Sequence, residues 1–197
     1  MPYVIDPAPG PRRQAVESWL HGLDMVSPAL RERIVTAWTT SFGSSTFQAL
    51  EAIPFSPAAR FYALADHVNE VTRAGIDLAR RAEADWGITL DWDEMMAILI
   101  LHDVDKPLLY EAAPEGGHRH TRLFRELPHG VAGAMLLKEL GFSHLVVSTV
   151  ATHATTAPFH GDTSEAQILH YADLFAADRA MKAIGAKPFY QRGFGSH

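Results

Sequence analysis

The chain has 197 residues, enough for one domain with a complete hydrophobic core. Its net charge of −6, with histidines counted as neutral, argues against non-specific binding to nucleic acid, which needs a basic face. The absence of cysteine excludes disulfides, thiolate metal sites and a cysteine nucleophile, and no apolar run is long enough to span a bilayer. The first residues lack the features of a secretory signal, so we expect a cytoplasmic location.

The N-terminal part of the chain is predicted to form an extended arm and two helices. Residues 1–11 contain four prolines and one glycine and should be extended. Helices are predicted over residues 12–23 and 28–42, the second because it follows a Ser-Pro pair and carries apolar residues every four positions. We divide the chain into N-terminal elements that pack on the core (1–56), a helical core (57–185) and a tail (186–197).

The core is predicted to begin with one long helix. A second Ser-Pro pair, at residues 56–57, predicts its start, and Gly87 predicts its end. His67 falls on the apolar stripe of this helix, so its side chain should point inward.

A shorter helix follows and ends in an unusual polar pair. Its start is predicted by a capping-box pattern at residues 91–94, and Pro107 limits its length. Its apolar run delivers His102 and Asp103 side by side at the end of a buried helix.

The rest of the core is predicted to contain one long loop and three helices. Residues 110–127 form the loop, and residues 128–141 form a helix with His129 in its first turn. A helix capped by Ser143 turns His153 inward, and a last helix ending near Gly185 turns Asp173 inward. Because no strand signal is present, we expect an all-α, single-domain bundle of about seven helices.

Six polar side chains fall on the inward faces or ends of these helices. They are His67, His102, Asp103, His129, His153 and Asp173. A single inward histidine is more often a hydrogen-bonded core residue than a ligand, but six such residues on consecutive helices favour a shared site. Burying carboxylates and imidazoles is costly unless a charge meets them, and a divalent metal ion commonly does so. The pattern therefore predicts a metal site inside the bundle.

The order His … His-Asp … His … His … Asp resembles the HD-domain superfamily of metal-dependent phosphohydrolases. The resemblance covers roughly residues 61–184, and its motif residues are His67, His102, Asp103 and Asp173. It implies that these four residues hold one metal ion. Members with two further histidines are typically dinuclear, which implies that His129 and His153 hold a second ion and that Asp103 bridges the two.

The resemblance and the donor types together give a leading hypothesis for function. Nitrogen and oxygen donors without sulfur suit two divalent ions, iron or manganese first, with zinc, nickel, cobalt or magnesium as alternatives. Two ions sharing a bridging hydroxide would supply a nucleophile at neutral pH. We therefore expect a dinuclear metal-dependent phosphohydrolase acting on a small phosphate ester or nucleotide, with Asp103 and Lys106 as catalytic residues.

Two charged residues after the motif each have two interpretations. Lys106 either contacts a substrate phosphate oxygen, as a lysine here commonly does in similar proteins, or pairs with the C-terminal dipole of the helix. Asp105 departs from the family pattern, which usually has glycine at this position. It either touches a ligand histidine or is an exposed carboxylate at the helix end, and we expect the second.

Further substrate contacts are predicted in the loop over residues 110–127, the most basic part of the chain. The candidates, whose alternative role is a solvated loop, are His118, Arg119, His120 and Arg122. With Lys106 they would bind a small anionic substrate. We expect no nucleic-acid polymer and no membrane as partners, and the sequence leaves the oligomeric state open.

Two other functions remain open at the level of sequence. Some proteins with a similar six-ligand pattern are mixed-valent di-iron oxygenases that cleave a C–C or C–P bond with dioxygen. A third interpretation is a non-catalytic module that binds metal and nucleotide. Lys106 after the motif favours hydrolysis over oxygenation.

Overall fold

The computed structural model describes residues 2–59 and 61–192, and its fold is all-α, as predicted. The helices in these ranges are α1 Pro11–Trp19, α2 Pro28–Gly43, α3 Leu64–Trp86, α4 Trp92–Leu101, α5 Lys106–Leu109, α6 Arg122–Glu126, α7 Val131–Glu139, α8 His144–Thr152 and α9 Ser164–Ala183. Single 3-10 turns lie at Leu50–Ala52 and Phe189–Gln191. The number of helical segments exceeds the predicted seven because α5 and α6 are too short to show a helical period.

Local signals set several of the helix ends. The Asp91 carboxylate accepts a hydrogen bond from the Glu94 amide at 3.1 Å and caps α4, and the Ser143 hydroxyl accepts one from the Val146 amide at 3.3 Å and caps α8. Gly87 ends α3 with a φ of 68°, a left-handed conformation that glycine adopts without strain.

The prediction that α3 starts at the Ser-Pro pair of residues 56–57 is wrong, because the helix starts at Leu64. The preceding segment folds back on itself instead, with the Phe55 amide donating to the Tyr62 carbonyl at 2.8 Å. This turn places the Phe55 ring 4.1 Å from the ring of His67, measured between centroids. The Ser-Pro pair therefore belongs to a turn that covers the start of α3.

The expectation that the chain has no strands is also wrong, because the predicted loop contains a short hairpin. Strands β1 (Tyr110–Ala112) and β2 (His118–His120) pair antiparallel. Gly116 and Gly117 form the turn with φ values of 91° and 80°. Three-residue strands are too short for alternation to be visible in the sequence.

Helix α4 lies at the centre of the bundle. Its residues 95–101 are all fully buried, and the indole Nε1 of Trp38 in α2 donates to the Ile100 carbonyl at 3.0 Å. One apolar cluster joins residues of α1 and α2 with residues of α3, α4, α8 and α9. Because α4 is surrounded on all sides, the polar residues that follow it enter the interior.

The predicted division into residues 1–56, 57–185 and 186–197 stays a prediction. The apolar cluster crosses the first boundary, so the N-terminal helices pack on the core. Residues 193–197 of the predicted tail lie outside the described residues. No helix in the described part of the chain has both the length and the apolar character needed to cross a membrane.

Candidate metal centre

The turn that follows α4 brings four polar side chains into the interior. His102, Asp103 and Asp105 are at most 1% exposed, and Lys106 is 5% exposed. The backbone tightens here, since the Lys106 amide donates to the Asp103 carbonyl at 3.0 Å. Pro107 lies in the first turn of α5, so it helps to start a new helix rather than only ending the previous one.

Three of the predicted ligands form what we call the first group: His67, His102 and Asp173. Nε2 of His67 lies 3.3 Å from Nε2 of His102 and 3.1 Å from Oδ1 of Asp173. Helices α3 and α9 supply His67 and Asp173, and the end of α4 supplies His102. The candidate ligand atoms of this group all lie within 4.8 Å of one another.

The other three form the second group: Asp103, His129 and His153. Oδ1 of Asp103 lies 2.9 Å from Nε2 of His129 and 3.6 Å from Nε2 of His153. His153 directly follows α8, whereas His129 lies two residues before α7 rather than in the first turn of a helix as expected. These ligand atoms also lie within 4.8 Å of one another.

Asp103 lies between the two groups and faces both. Oδ1 faces His129 and His153, whereas Oδ2 lies 3.3 Å from Nε2 of His67 and 3.4 Å from Nε2 of His102. The Lys106 ammonium is 2.7 Å from the same Oδ2. A carboxylate with its two oxygens directed at two separate sets of donors has the arrangement that a bridging ligand needs.

Electrostatics keep the carboxylates of the centre ionised. Burial alone would raise the pKa of Asp103, but the charges of Lys106 and His102 hold it well below its usual range. Burial likewise acts to raise the pKa of Asp173, and the hydrogen bond from His67 lowers it instead. The carboxylates of Asp103 and Asp173 therefore both offer anionic oxygens to a cation.

The imidazoles are oriented so that their Nε2 atoms face the centre. Nδ1 of His102 donates to the Leu99 carbonyl at 2.9 Å, and Nδ1 of His153 donates to the Val150 carbonyl at 2.8 Å. This leaves the lone pair on Nε2 for a metal. Nδ1 of His67 is buried and has no hydrogen-bond partner among residues 2–59 and 61–192. The residues present therefore fit nitrogen- and oxygen-ligated divalent ions.

A cavity of about 630 Å³ opens above the centre. Asp103, Lys106, His129 and Asp173 contribute to its polar part. Its apolar part includes Phe55, Tyr110, Phe124, Leu174, Met181 and Phe189. Arg125, Thr155 and Thr156 also line it. A polar part beside an apolar wall suits a small molecule with an anionic head and an organic body.

Of the predicted substrate contacts, only Lys106 lines this cavity. Arg119 pairs with Glu111 at 2.8 Å, and Arg122 pairs with Glu126 at 2.5 Å. The remaining two are imidazoles packed on aromatic rings: His118 against Phe47 and His120 against Phe124. The geometry does not support direct substrate binding by these four residues. Sequence reasoning missed Arg125, because this basic segment contains several arginines and the sequence does not indicate which of them reaches the cavity.

The expectation of an exposed Asp105 is wrong. Its side chain is fully buried, and Oδ1 accepts a hydrogen bond from Nδ1 of His129 at 3.0 Å. The alternative interpretation, contact with a predicted ligand histidine, describes this geometry. The dipole interpretation of Lys106 also fails, because its ammonium pairs with Asp103 and the residue starts α5 instead of ending α4.

These features define the class of the protein: the chain belongs to the HD domain family, whose model matches residues 64–178. All six residues of the two groups lie within that range. The chain is similar to dihydroneopterin 2′,3′-cyclic phosphate phosphodiesterase from Methanocaldococcus jannaschii, with 31% identity over 111 residues. That match covers 56% of this chain and 44% of the relative, so the chain spans less than half of the relative's length. No solved structure matches the chain.

Proposed function

We propose that this protein is a metal-dependent phosphohydrolase that holds two divalent ions and acts on a small phosphate ester or nucleotide. The observation that carries the proposal is the position of Asp103, whose two oxygens face two different sets of histidines. Membership of the HD domain family and the name of the phosphodiesterase relative support the same class of reaction.

Under this proposal, Asp103 is shared between the two ions. The first ion would be held by His67, His102 and Asp173 together with Asp103, and the second by His129 and His153 together with Asp103. Bound divalent ions lower the pKa of a ligated water and stabilise the charge that develops on an attacked phosphate. No serine or cysteine nucleophile is then required. Iron and manganese remain the expected metals.

Lys106 is the residue of this chain that we expect to bind a substrate phosphate oxygen. Its ammonium lines the cavity, lies 2.7 Å from Asp103 Oδ2 and is held 3.9 Å from the centroid of the Phe55 ring. Because the side chain is almost fully buried, its charge is poorly screened by water. An anionic group entering the polar part of the cavity would therefore be attracted to this position.

Arg125 provides a second cationic group in the lining of the cavity. Its side chain is exposed and forms no ion pair with a carboxylate in the described ranges. Guanidinium groups match phosphate geometry through paired hydrogen bonds. We expect Arg125 to bind a phosphate oxygen that points away from the centre.

The apolar side of the cavity would bind the organic part of the ester. The rings of Tyr110, Phe124 and Phe189 exclude water and offer flat surfaces to a planar group. We therefore expect aryl or nucleoside esters to be better substrates than simple alkyl phosphates. The name of the relative makes 2′,3′-cyclic nucleotides a reasonable part of a first screen.

The test begins with protein purified without a chelating resin and analysed for bound metals. It is then assayed with and without dioxygen on p-nitrophenyl phosphate, bis-p-nitrophenyl phosphate and 2′,3′-cyclic nucleotides. Metal-dependent ester hydrolysis in the absence of dioxygen is the expected result. Iron-dependent consumption of dioxygen with no ester hydrolysis would contradict the proposal and favour the oxygenase. Binding of metal and nucleotide without turnover would favour the non-catalytic module.

A further inference from the structure

Asp105 is fully buried, and both oxygens of its carboxylate accept hydrogen bonds from a single segment of the chain. Oδ1 accepts from Nδ1 of His129 at 3.0 Å, and Oδ2 accepts from the Gly130 amide at 2.7 Å. The side chain makes no capping hydrogen bond to α5, the helix that it precedes. Burying a charged group is costly unless it is well paired, so these two hydrogen bonds account for its presence.

The segment that Asp105 holds is a tight turn against the end of α8. Gly130 has a φ of 92°, and a Cβ at this position would lie 2.4 Å from the Val150 carbonyl oxygen. This close approach brings the rings of His129 and His153 to a centroid distance of 4.8 Å. Asp105 therefore fixes both the ring of His129 and the backbone that follows it.

The Nδ1 partner of His129 differs from those of His102 and His153. The latter two donate Nδ1–H to backbone carbonyls, whereas His129 donates to a carboxylate. Donation from Nδ1 directs Nε2 toward Asp103 Oδ1, which it approaches to 2.9 Å. A carboxylate behind a ligand histidine fixes its tautomer and makes it a stronger ligand.

We propose that Asp105 is a positioning residue that holds His129 with Nε2 available to the second ion, and that its loss leaves the protein with one bound ion instead of two. This inference rests on the proposed dinuclear function. It assigns a role to a residue at which the chain departs from the pattern that it otherwise resembles.

The test compares Asp105→Asn and Asp105→Ala with the wild-type protein. The asparagine side chain has nearly the same shape but only one acceptor oxygen, so it cannot accept from both His129 Nδ1–H and the Gly130 amide. We expect both variants to bind the second ion about 10- to 100-fold more weakly while they retain the first. Metal titration monitored by calorimetry and elemental analysis measures both quantities.

A matched control separates positioning from general loss of stability. Glu83 is a half-buried carboxylate that accepts from the Leu90 amide at 3.1 Å and from the Trp92 indole at 3.2 Å, with no contact to either metal group. We expect Glu83→Ala to destabilise the fold and still bind two ions. Loss of the second ion in Glu83→Ala as well would overturn the inference, as would full retention of it in both Asp105 variants.

A second readout does not depend on metal. In chelator-treated wild-type protein, the Nδ1 proton of His129 should give a slowly exchanging downfield NMR signal, absent from both Asp105→Ala and His129→Gln. Persistence of this signal in Asp105→Ala would contradict the positioning role. If the wild-type protein binds a single ion, the proposed dinuclear function fails, and the proton signal alone then decides whether Asp105 positions His129.

Discussion

At the scale of single residues, the centre places identical imidazoles in opposite electrostatic environments. Burial lowers the pKa of His67 to about 4, so its ring is neutral near pH 7. Burial acts on His129 in the same direction, but the carboxylates of Asp105 and Asp103 outweigh it and raise the pKa to about 9. His67 is therefore already uncharged before a cation binds, whereas His129 must first release its extra proton.

The raised pKa of His129 predicts how the stability of chelator-treated protein depends on pH. Because the pKa rises from 6.5 in the unfolded chain to about 9 in the fold, its contribution is complete below pH 6.5. That contribution is lost as the pH rises through 9. We expect the free energy of unfolding in urea to fall by about 1–3 kcal/mol over this interval. His129→Gln should remove most of this decrease, and an equal decrease in that variant would assign it to other groups.

Replacement of Asp103 by alanine should affect both metal groups at once. The variant loses the carboxylate shared by the two groups and leaves the Lys106 ammonium buried without its partner. We expect loss of stoichiometric metal and of ester hydrolysis. The metal-free protein should also lose about 3–5 kcal/mol of stability, as when one member of a buried ion pair is removed. Elemental analysis and urea unfolding measure these effects, and unchanged metal content would refute the assignment of Asp103.

At the scale of elements, short segments determine what borders the cavity. Phe124 and Arg125 lie in α6, a helix of five residues, and Tyr110 begins β1. His120 of β2 stacks on Phe124 at a centroid distance of 3.7 Å, so the hairpin supports the cavity wall from behind. Of the predicted loop residues, His120 therefore shapes the cavity indirectly, through the Phe124 ring on which it packs.

Two arginines of α6 provide a matched test of substrate binding. Arg125 lines the cavity, whereas Arg122 pairs with Glu126 at 2.5 Å and does not line it. We expect Arg125→Gln to raise KM for an anionic ester about 5- to 10-fold, with a smaller effect on kcat, because an exposed phosphate contact is lost. Arg122→Gln should leave both constants within about twofold. Equal effects of the two substitutions would argue for a general electrostatic contribution instead.

Two glycines with nearly the same backbone conformation test the importance of the turn after His129. Gly130 and Gly116 have φ values of 92° and 91°, but only at Gly130 would a Cβ collide with neighbouring atoms. Gly116→Ala should cost about 1 kcal/mol in urea unfolding, the typical penalty for a left-handed alanine. Gly130→Ala should cost more than about 3 kcal/mol and weaken binding of the second ion. Similar costs at the two positions would mean that the turn can relax.

At the scale of the whole molecule, the features predicted correctly from the sequence are those that depend on residues close together in the chain. The caps at Asp91 and Ser143 act within their own helices, and Gly87 ends α3 through its own backbone. The inward direction of His67 and His153 follows from helical period, because their helices are long enough to show it. The all-α class follows from these local signals, and the resemblance to the HD domain family follows from the order of the histidines and aspartates along the chain.

What sequence reasoning missed depends on contacts between distant segments. Asp105 is buried because its partners His129 and Gly130 lie 24 and 25 residues further along the chain. The Ser-Pro pair at residues 56–57 has the same local signal as the pair that starts α2. It fails to start a helix because the Phe55 amide and the Tyr62 carbonyl pair across the turn. Such pairings have no periodic signature in the sequence.

The N-terminal helices should matter to the centre although they contribute no predicted ligand. Trp38 of α2 is fully buried and hydrogen-bonded to α4, and His102 follows directly after that helix. We expect Trp38→Ala to cost about 3–5 kcal/mol of stability and to weaken metal binding. Trp86, which is 52% exposed, is the control: Trp86→Ala should change either quantity little. Unaltered metal affinity in Trp38→Ala would show that the position of α4 does not depend on the Trp38 side chain.

The two sides of the cavity come from different kinds of element, and this has a consequence for how selectivity can evolve. The proposed metal ligands lie in α3 and α9 or in the tightly packed turns next to α4, α7 and α8, where few substitutions are tolerated. Part of the opposite side belongs to the hairpin and α6, which are short, largely surface-exposed and joined by turns. Exchange of residues 110–127 between homologues should therefore transfer a preference for one ester over another. The type of reaction should stay the same.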